Sequence, residues 1–302
     1  MPKVAKPFAR LLRVSTTRID GGSLFGSTAK ERWEAFVSPD RQNRVAIGNY
    51  SMLLNHPAGW ILVNAGPGDK APLSLDVAPM RSRSSLLREL RELDLIPKDI
   101  RTVIYTHLHD EHSGGGTHIT SSGRVLPTFP NARYVIQKAG FAEATQPNER
   151  SAQHYRADDF EPLQESGQLD IVDGQTEIAE GVWVSSAPGP TAGHQIVTAE
   201  YNETTYAFLG TLIPTSMHLC SDVVAAGDWS PEATASTKLS VKRKAIAAGW
   251  RVAPVGSDDW VNACDLEGLA AFSVGKAPVK KAAPVVEIPT PRRAPERIAV
   301  AV

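Results

Sequence analysis

Thr106-His107-Leu108-His109-Asp110-Glu111-His112-Ser113-Gly114-Gly115 sets three histidines within six residues, directly after the apolar run Val103-Ile104-Tyr105. Imidazoles so close together are the donors that hold zinc and related divalent ions. If the segment is extended, His107 and His109 point the same way, and His112 comes round from the next turn. Asp110 and Glu111 add carboxylates between them. The glycines that follow let the backbone pass close to a metal or a substrate. The pattern is that of a metal site on a strand-to-helix loop.

Such a loop needs a sheet to hang from. Strand candidates alternate or run apolar: Ser51–Leu54, Trp60–Asn64, Thr102–Tyr105, Tyr134–Gln137, Leu169–Val172, Val182–Ala187, Ile196–Tyr201, Thr205–Leu209 and Trp250–Val255. A helix over Ser84–Leu95 would set Leu86, Leu87, Leu90 and Leu93 in one buried stripe. A second helix starts with Ser230 as N-cap, Pro231 in its first turn and Glu232, and runs to about Ala248, with Gly249 as its stop. Periodicity alone gives a mixed α/β domain.

Seven landmarks, in one order from about Ile19 to Trp260, then carry a resemblance. They are Asp20-Gly21-Gly22-Ser23-Leu24-Phe25-Gly26 with Trp33, Trp60 to Asp69, the histidine loop, and Pro127-Thr128-Phe129-Pro130-Asn131-Ala132. Pro147-Asn148-Glu149-Arg150, Pro188 to Gln195, and Leu209-Gly210-Thr211-Leu212-Ile213-Pro214-Thr215 complete the set. Together they resemble the metallo-β-lactamase superfamily, and within it the branch of N-acyl-homoserine lactonases and related lactone and organophosphate hydrolases. The resemblance implies a four-layer αβ/βα sandwich. It also implies two metal ions held by seven ligands, the first four at His107, His109, Glu111 and His112.

At the other three ligand positions this chain departs from the family pattern. Pro190 stands where a histidine follows Pro-Gly, Thr211 stands at the bridging aspartate, and Ser257 corresponds best to the last histidine. Even the aspartate of the early turn is Asn64. Glu111 replaces an aspartate, lengthening the arm by roughly 1.5 Å, where catalytic groups tolerate about 0.5 Å. A two-metal hydrolase needs a carboxylate bridging ions about 3.5–4 Å apart. Threonine is neutral, and proline offers no side-chain donor, so neither family site reaches the three protein ligands typical of catalytic zinc. Asp110, His194, His218 and Asp258 lie in motif loops that should converge on the same mouth. His118, just past the glycines, is a further candidate.

Other chemistries find little support. No Gly-x-Ser-x-Gly elbow flanks Ser185, Ser186 or Ser257, and no Lys-Ser/Thr follows Gly114-Gly115-Gly116 to make a phosphate loop. Cys220 and Cys264 form no Cys-x-x-Cys pair and read as small buried hydrophobes. A net charge of −1 over 302 residues, with no basic patch among aromatics, argues against nucleic acid. No signal peptide or membrane span is evident, and the expectation is a cytoplasmic protein. Residues 1–274 read as one domain. From 275 to 302 the texture changes: five prolines, and six Lys or Arg against two Glu, read as a disordered tail. Within it Val285-Val286-Glu287-Ile288 is a β-prone segment able to join a sheet edge.

The expectation is therefore a metallo-β-lactamase-like pseudoenzyme that binds a small molecule or a partner protein, with no metal or one divalent ion, zinc among them. The alternative is a hydrolase of lactones or esters with an atypical, single-metal site. Lactonase relatives often dimerise, so the resemblance leaves a homodimer open.

Overall fold

A computed structural model describes residues 9–70, 82, 84–255 and 258–266. Strands β1 (Ala9–Asp20), β2 (Arg44–His56), β3 (Gly59–Val63), β4 (Ile100–Ile104), β5 (Thr117–Ile119), β6 (Val125–Pro127), β7 (Arg133–Gln137) and β8 (Leu169–Val172) belong to the N-terminal half. The C-terminal half supplies β9 (Thr176–Ala179), β10 (Val182–Ser186), β11 (Gln195–Tyr201), β12 (Thr204–Phe208), β13 (Arg251–Ala253) and β14 (Val261–Asn262). They build two six-stranded sheets, ordered β1-β2-β3-β4-β7-β8 and β14-β13-β12-β11-β10-β9, while β5 and β6 form a hairpin apart. The helices are α1 (Gly21–Phe25), α2 (Lys30–Trp33), α3 (Leu86–Glu92), α4 (Asp110–Ser113), α5 (Lys138–Thr145), α6 (Glu161–Glu165) and α7 (Pro231–Ala247).

Side-chain alternation explains the layering. On β2, Met52 and Leu54 enter the core between the sheets, while Leu53 faces the opposite way into the core that includes Leu86 and Leu90 of α3. On β3, Ile61 and Val63 turn inward and Leu62 outward; on β4, Ile104 turns inward and Val103 outward. Strands covered on both faces read as near-continuous apolar runs, which is what these segments show. The second sheet buries Ile196, Ala207 and Val252 against Val241 and Ala245 of α7. The result is the expected αβ/βα sandwich.

Several elements differ from the sequence expectation. Helix α3 is shorter, ending at Glu92, and Asp94 takes a left-handed φ of 58° beyond it. Leu86 and Leu90, one turn apart, are buried; Leu87 is turned about 100° away and is 40% exposed. Strand β1 was not expected, because arginines interrupt its apolar residues; in the sheet Leu12 and Val14 face the core and Arg13 between them faces out. Cys264 is exposed, against the expectation of burial, while Cys220 is buried. Helix α7 starts as expected, with Ser230 Oγ accepting from the Ala233 amide at 3.2 Å. No helix among the described residues is long and apolar enough to cross a membrane. Ser257 and the tail, 275–302 with its segment at Val285–Ile288, lie outside the described residues.

Candidate metal and ligand site

The histidine loop leaves the C-terminal end of β4, where the sandwich opens. Its path is set by backbone pairing with the turn after β3. The Ala65 amide donates to His112 O at 2.7 Å, and the Gly115 amide donates to Gly66 O at 2.8 Å. Gly114 and Gly115 are needed for that contact rather than for approach to an ion. A Cβ on Gly114 would lie 2.3 Å from Pro67 O, and one on Gly115 would lie 2.1 Å from Ala65 O. Lys70 braces the far side. Its buried ammonium donates to Thr117 O at 2.8 Å and to Gly114 O, and lies 3.1 Å from an Asp159 carboxylate oxygen. Burial pushes the Asp159 carboxyl up to about 6, against the pull of Lys70.

Four of the expected side chains come together, and one unexpected residue joins them. His107 has ring centroids 4.5 Å from His109, 4.7 Å from His112 and 5.3 Å from His194. His154, which no motif singled out, stacks on His109 at 4.7 Å with 28° between the rings. His194 reaches the group because its loop is tied to the exit of β4: the Gln195 amide donates to Thr106 O at 2.9 Å and Gln195 Nε2 to Tyr105 O at 2.6 Å. Burial holds His107 well below its ordinary value and lowers His109 and His194 to about 3, so all three are neutral at pH 7.

Hydrogen bonds assign protons on two of the rings. His194 Nδ1 faces the Ala187 carbonyl at 3.2 Å, which can only accept, so Nδ1 carries the proton and Nε2 keeps its lone pair. At Asn64 the orientation of the amide is set by the Thr106 backbone amide, which donates to Oδ1 at 2.9 Å. Nδ2 therefore faces His112 Nδ1 at 3.3 Å as a donor. A His112 proton on Nε2, on the side of Glu111 Oε1 at 3.9 Å, is the tautomer that fits this donor. Metal-bound histidine shows the reverse arrangement, donating its second N–H to a carboxylate or carbonyl. Asn64 thus favours the form of His112 that has no lone pair on Nε2.

The opposite wall carries Pro190 and Thr211. Pro190 is buried in the loop from Ala187 to Gln195, and its carbonyl accepts from the Trp229 amide at 3.1 Å. Thr211 follows Gly210, whose φ is 58°; a Cβ there would lie 2.7 Å from His194 Nε2 and 3.0 Å from Thr106 Cβ. Only glycine lets that turn pass so close. Among the described residues, His107 Nε2, His194 Nε2, Thr191 Oγ1 and Thr211 Oγ1 are buried without a hydrogen-bond partner. Each such atom costs about 1–3 kcal/mol unless something fills the space beside it.

The remaining candidates separate from this group. Asp110 is buried, at the start of α4. His218 does not join: Nε2 donates to Leu24 O at 2.9 Å and Nδ1 accepts from Thr215 Oγ1 at 2.8 Å, so the ring locks its turn onto α1. Asp258 does not join either, because its carboxylate accepts from Tyr50 and lies 3.6 Å from Arg13, on β2 and β1. His118 is exposed on β5. At the two family ligand positions that are described on this wall the chain carries Pro190, which has no side-chain donor, and Thr211, a neutral hydroxyl. One other set does converge. His109, Glu111 and His154 each bring a ligand atom to within 4.8 Å of the others.

The fold agrees with what comparison shows. The sequence profile of the metallo-beta-lactamase superfamily matches residues 45–249, and the chain belongs to that superfamily. An N-acyl homoserine lactonase from a Bacillus species is 26% identical over 121 residues, 40% of this chain; the match spans only 41% of that relative. A probable metal-dependent hydrolase from Staphylococcus aureus superposes with a TM-score of 0.75 at 24% identity, covering 83% of this chain and 89% of its own. A dizinc quorum-quenching lactonase in complex with a product superposes with a TM-score of 0.67 at 17% identity, covering 83% and 87%.

Proposed function

We propose that this chain binds a small molecule in the cleft of a hydrolase fold without carrying out two-metal hydrolysis. The observation that carries this reading is the wall facing the histidines, where Pro190 and Thr211 replace a nitrogen donor and a bridging carboxylate. A bridging hydroxide needs two ions held a fixed short distance apart, and a threonine hydroxyl does not hold them. Asn64 supports the same reading through the tautomer it favours on His112.

The ligand class follows from the hydrogen-bond roles left open. His194 Nε2 is an acceptor, and the hydroxyls of Thr191 and Thr211 can accept or donate. A ligand with an amide N–H or a hydroxyl beside a carbonyl would satisfy them. N-acyl homoserine lactones, the compounds named for the lactonase relative, have an amide beside a ring carbonyl and serve as the first probe. Saturation-transfer NMR should show a medium-chain acyl homoserine lactone bound to the full chain, with the ring still closed after prolonged incubation. Ring opening that stops on chelation would contradict the proposal.

A further inference from the structure

We infer that His109, Glu111 and His154 form a single-ion site for a zinc-class divalent cation, displaced from both positions of the family's metal pair. The set takes one residue from each family position and completes it with a histidine from a different segment. Two imidazoles and a carboxylate are a donor set that holds zinc in hydrolases and iron(II) in oxygenases. The ligand atoms lie within 4.8 Å of one another, and all three residues are partly exposed.

His154 is held in place. Asn148 accepts from the Arg150 and Ser151 amides, both at 3.0 Å, and the His154 amide closes the turn on Ser151 O at 2.9 Å. Arg150 anchors that turn by donating to Asp228 O at 3.2 Å and to Ala226 O. On the other side Tyr155 meets the His109 ring edge-on at 5.0 Å. Glu111, one methylene longer than the aspartate the family resemblance implies, brings its carboxylate within 4.8 Å of a His154 ring nitrogen. The inference does not depend on the ligand reading above.

The test is titration of the full chain, stripped with chelator, with zinc against a chromophoric competitor, and with cobalt followed by visible absorption. One equivalent should bind. His154→Ala should weaken zinc by more than the roughly 10–100-fold that loss of an outer partner of a ligand costs, and should abolish the cobalt spectrum. His118→Ala, on the surface, should leave both unchanged, and metal-free melting should show that His154→Ala still folds. One equivalent that survives His154→Ala unchanged would overturn the site, as would no binding at all. Binding of two equivalents would overturn both the site and the proposed function, whereas failure to bind metal leaves the function proposal standing.

Discussion

Asn64 carries part of the proposal that this chain lacks two-metal chemistry. With φ at 59°, a conformation asparagine tolerates, it keeps the turn after β3 and bonds Thr106 as a carboxylate would. Its other arm is a donor where an aspartate would accept, which fits a His112 proton on Nε2 in place of Nδ1. Reversion should therefore be cooperative. Asn64→Asp alone changes only the tautomer and should leave zinc stoichiometry unchanged; combined with Pro190→His and Thr211→Asp it should raise stoichiometry by one or more ions per chain, counted by mass spectrometry. Unchanged stoichiometry in the triple variant would show that the scaffold, and not these three residues, prevents assembly. Pro190, Thr211 and Asn64 are legible in the sequence as departures from the family pattern, because landmark motifs fix each position. The tautomer is not, since it depends on a backbone amide 42 positions away. His154 also left no signal. It lies on a short turn with no motif of its own, after Pro147-Asn148-Glu149-Arg150, and only the fold brings that turn over His109.

Among the elements, the tight turns carry the most structural consequence. The Ser216–Leu219 turn is fastened to α1 by His218, whose ring also stacks on Phe25 with centroids 5.4 Å apart. Burial lowers this histidine from 6.5 to about 3. Below pH 6.5 the unfolded chain takes up a proton that the folded chain refuses, so stability is complete above that pH and falls as acid is added. A single such group contributes at most about 1.4 kcal/mol per pH unit. Urea unfolding at pH 7 and pH 5 should show the parent losing on the order of 1–2 kcal/mol more over that interval than His218→Gln, even though the variant is weaker at pH 7. Equal losses would mean that His218 takes up its proton in the folded state as readily as in the unfolded one. Strands covered on both faces were readable as apolar runs. β1 was not, because its outward arginines break the run, and the short β5, β6, β9 and β14 contain too few residues to show a period. His218 illustrates the converse: a motif loop predicts neighbourhood, while the direction of a ring depends on which carbonyl it finds, here that of Leu24.

On the scale of the whole molecule, two six-stranded sheets with helices outside hold the histidine loop at the C-terminal end of β4. Between the sheets Met52, Val63, Ile104, Val184 and Val197 are fully buried, and the Lys70–Asp159 pair ties the histidine loop to the chain beyond β6. A fold so supported can keep its cleft and change what the cleft holds. The most direct measurement is a crystal structure of the full chain grown with excess zinc, with anomalous scattering used to locate ions. A single peak bounded by His109, Glu111 and His154, with none beside Thr211, is the expected result. Two peaks bridging the space between His107, His112 and Thr211 would contradict it.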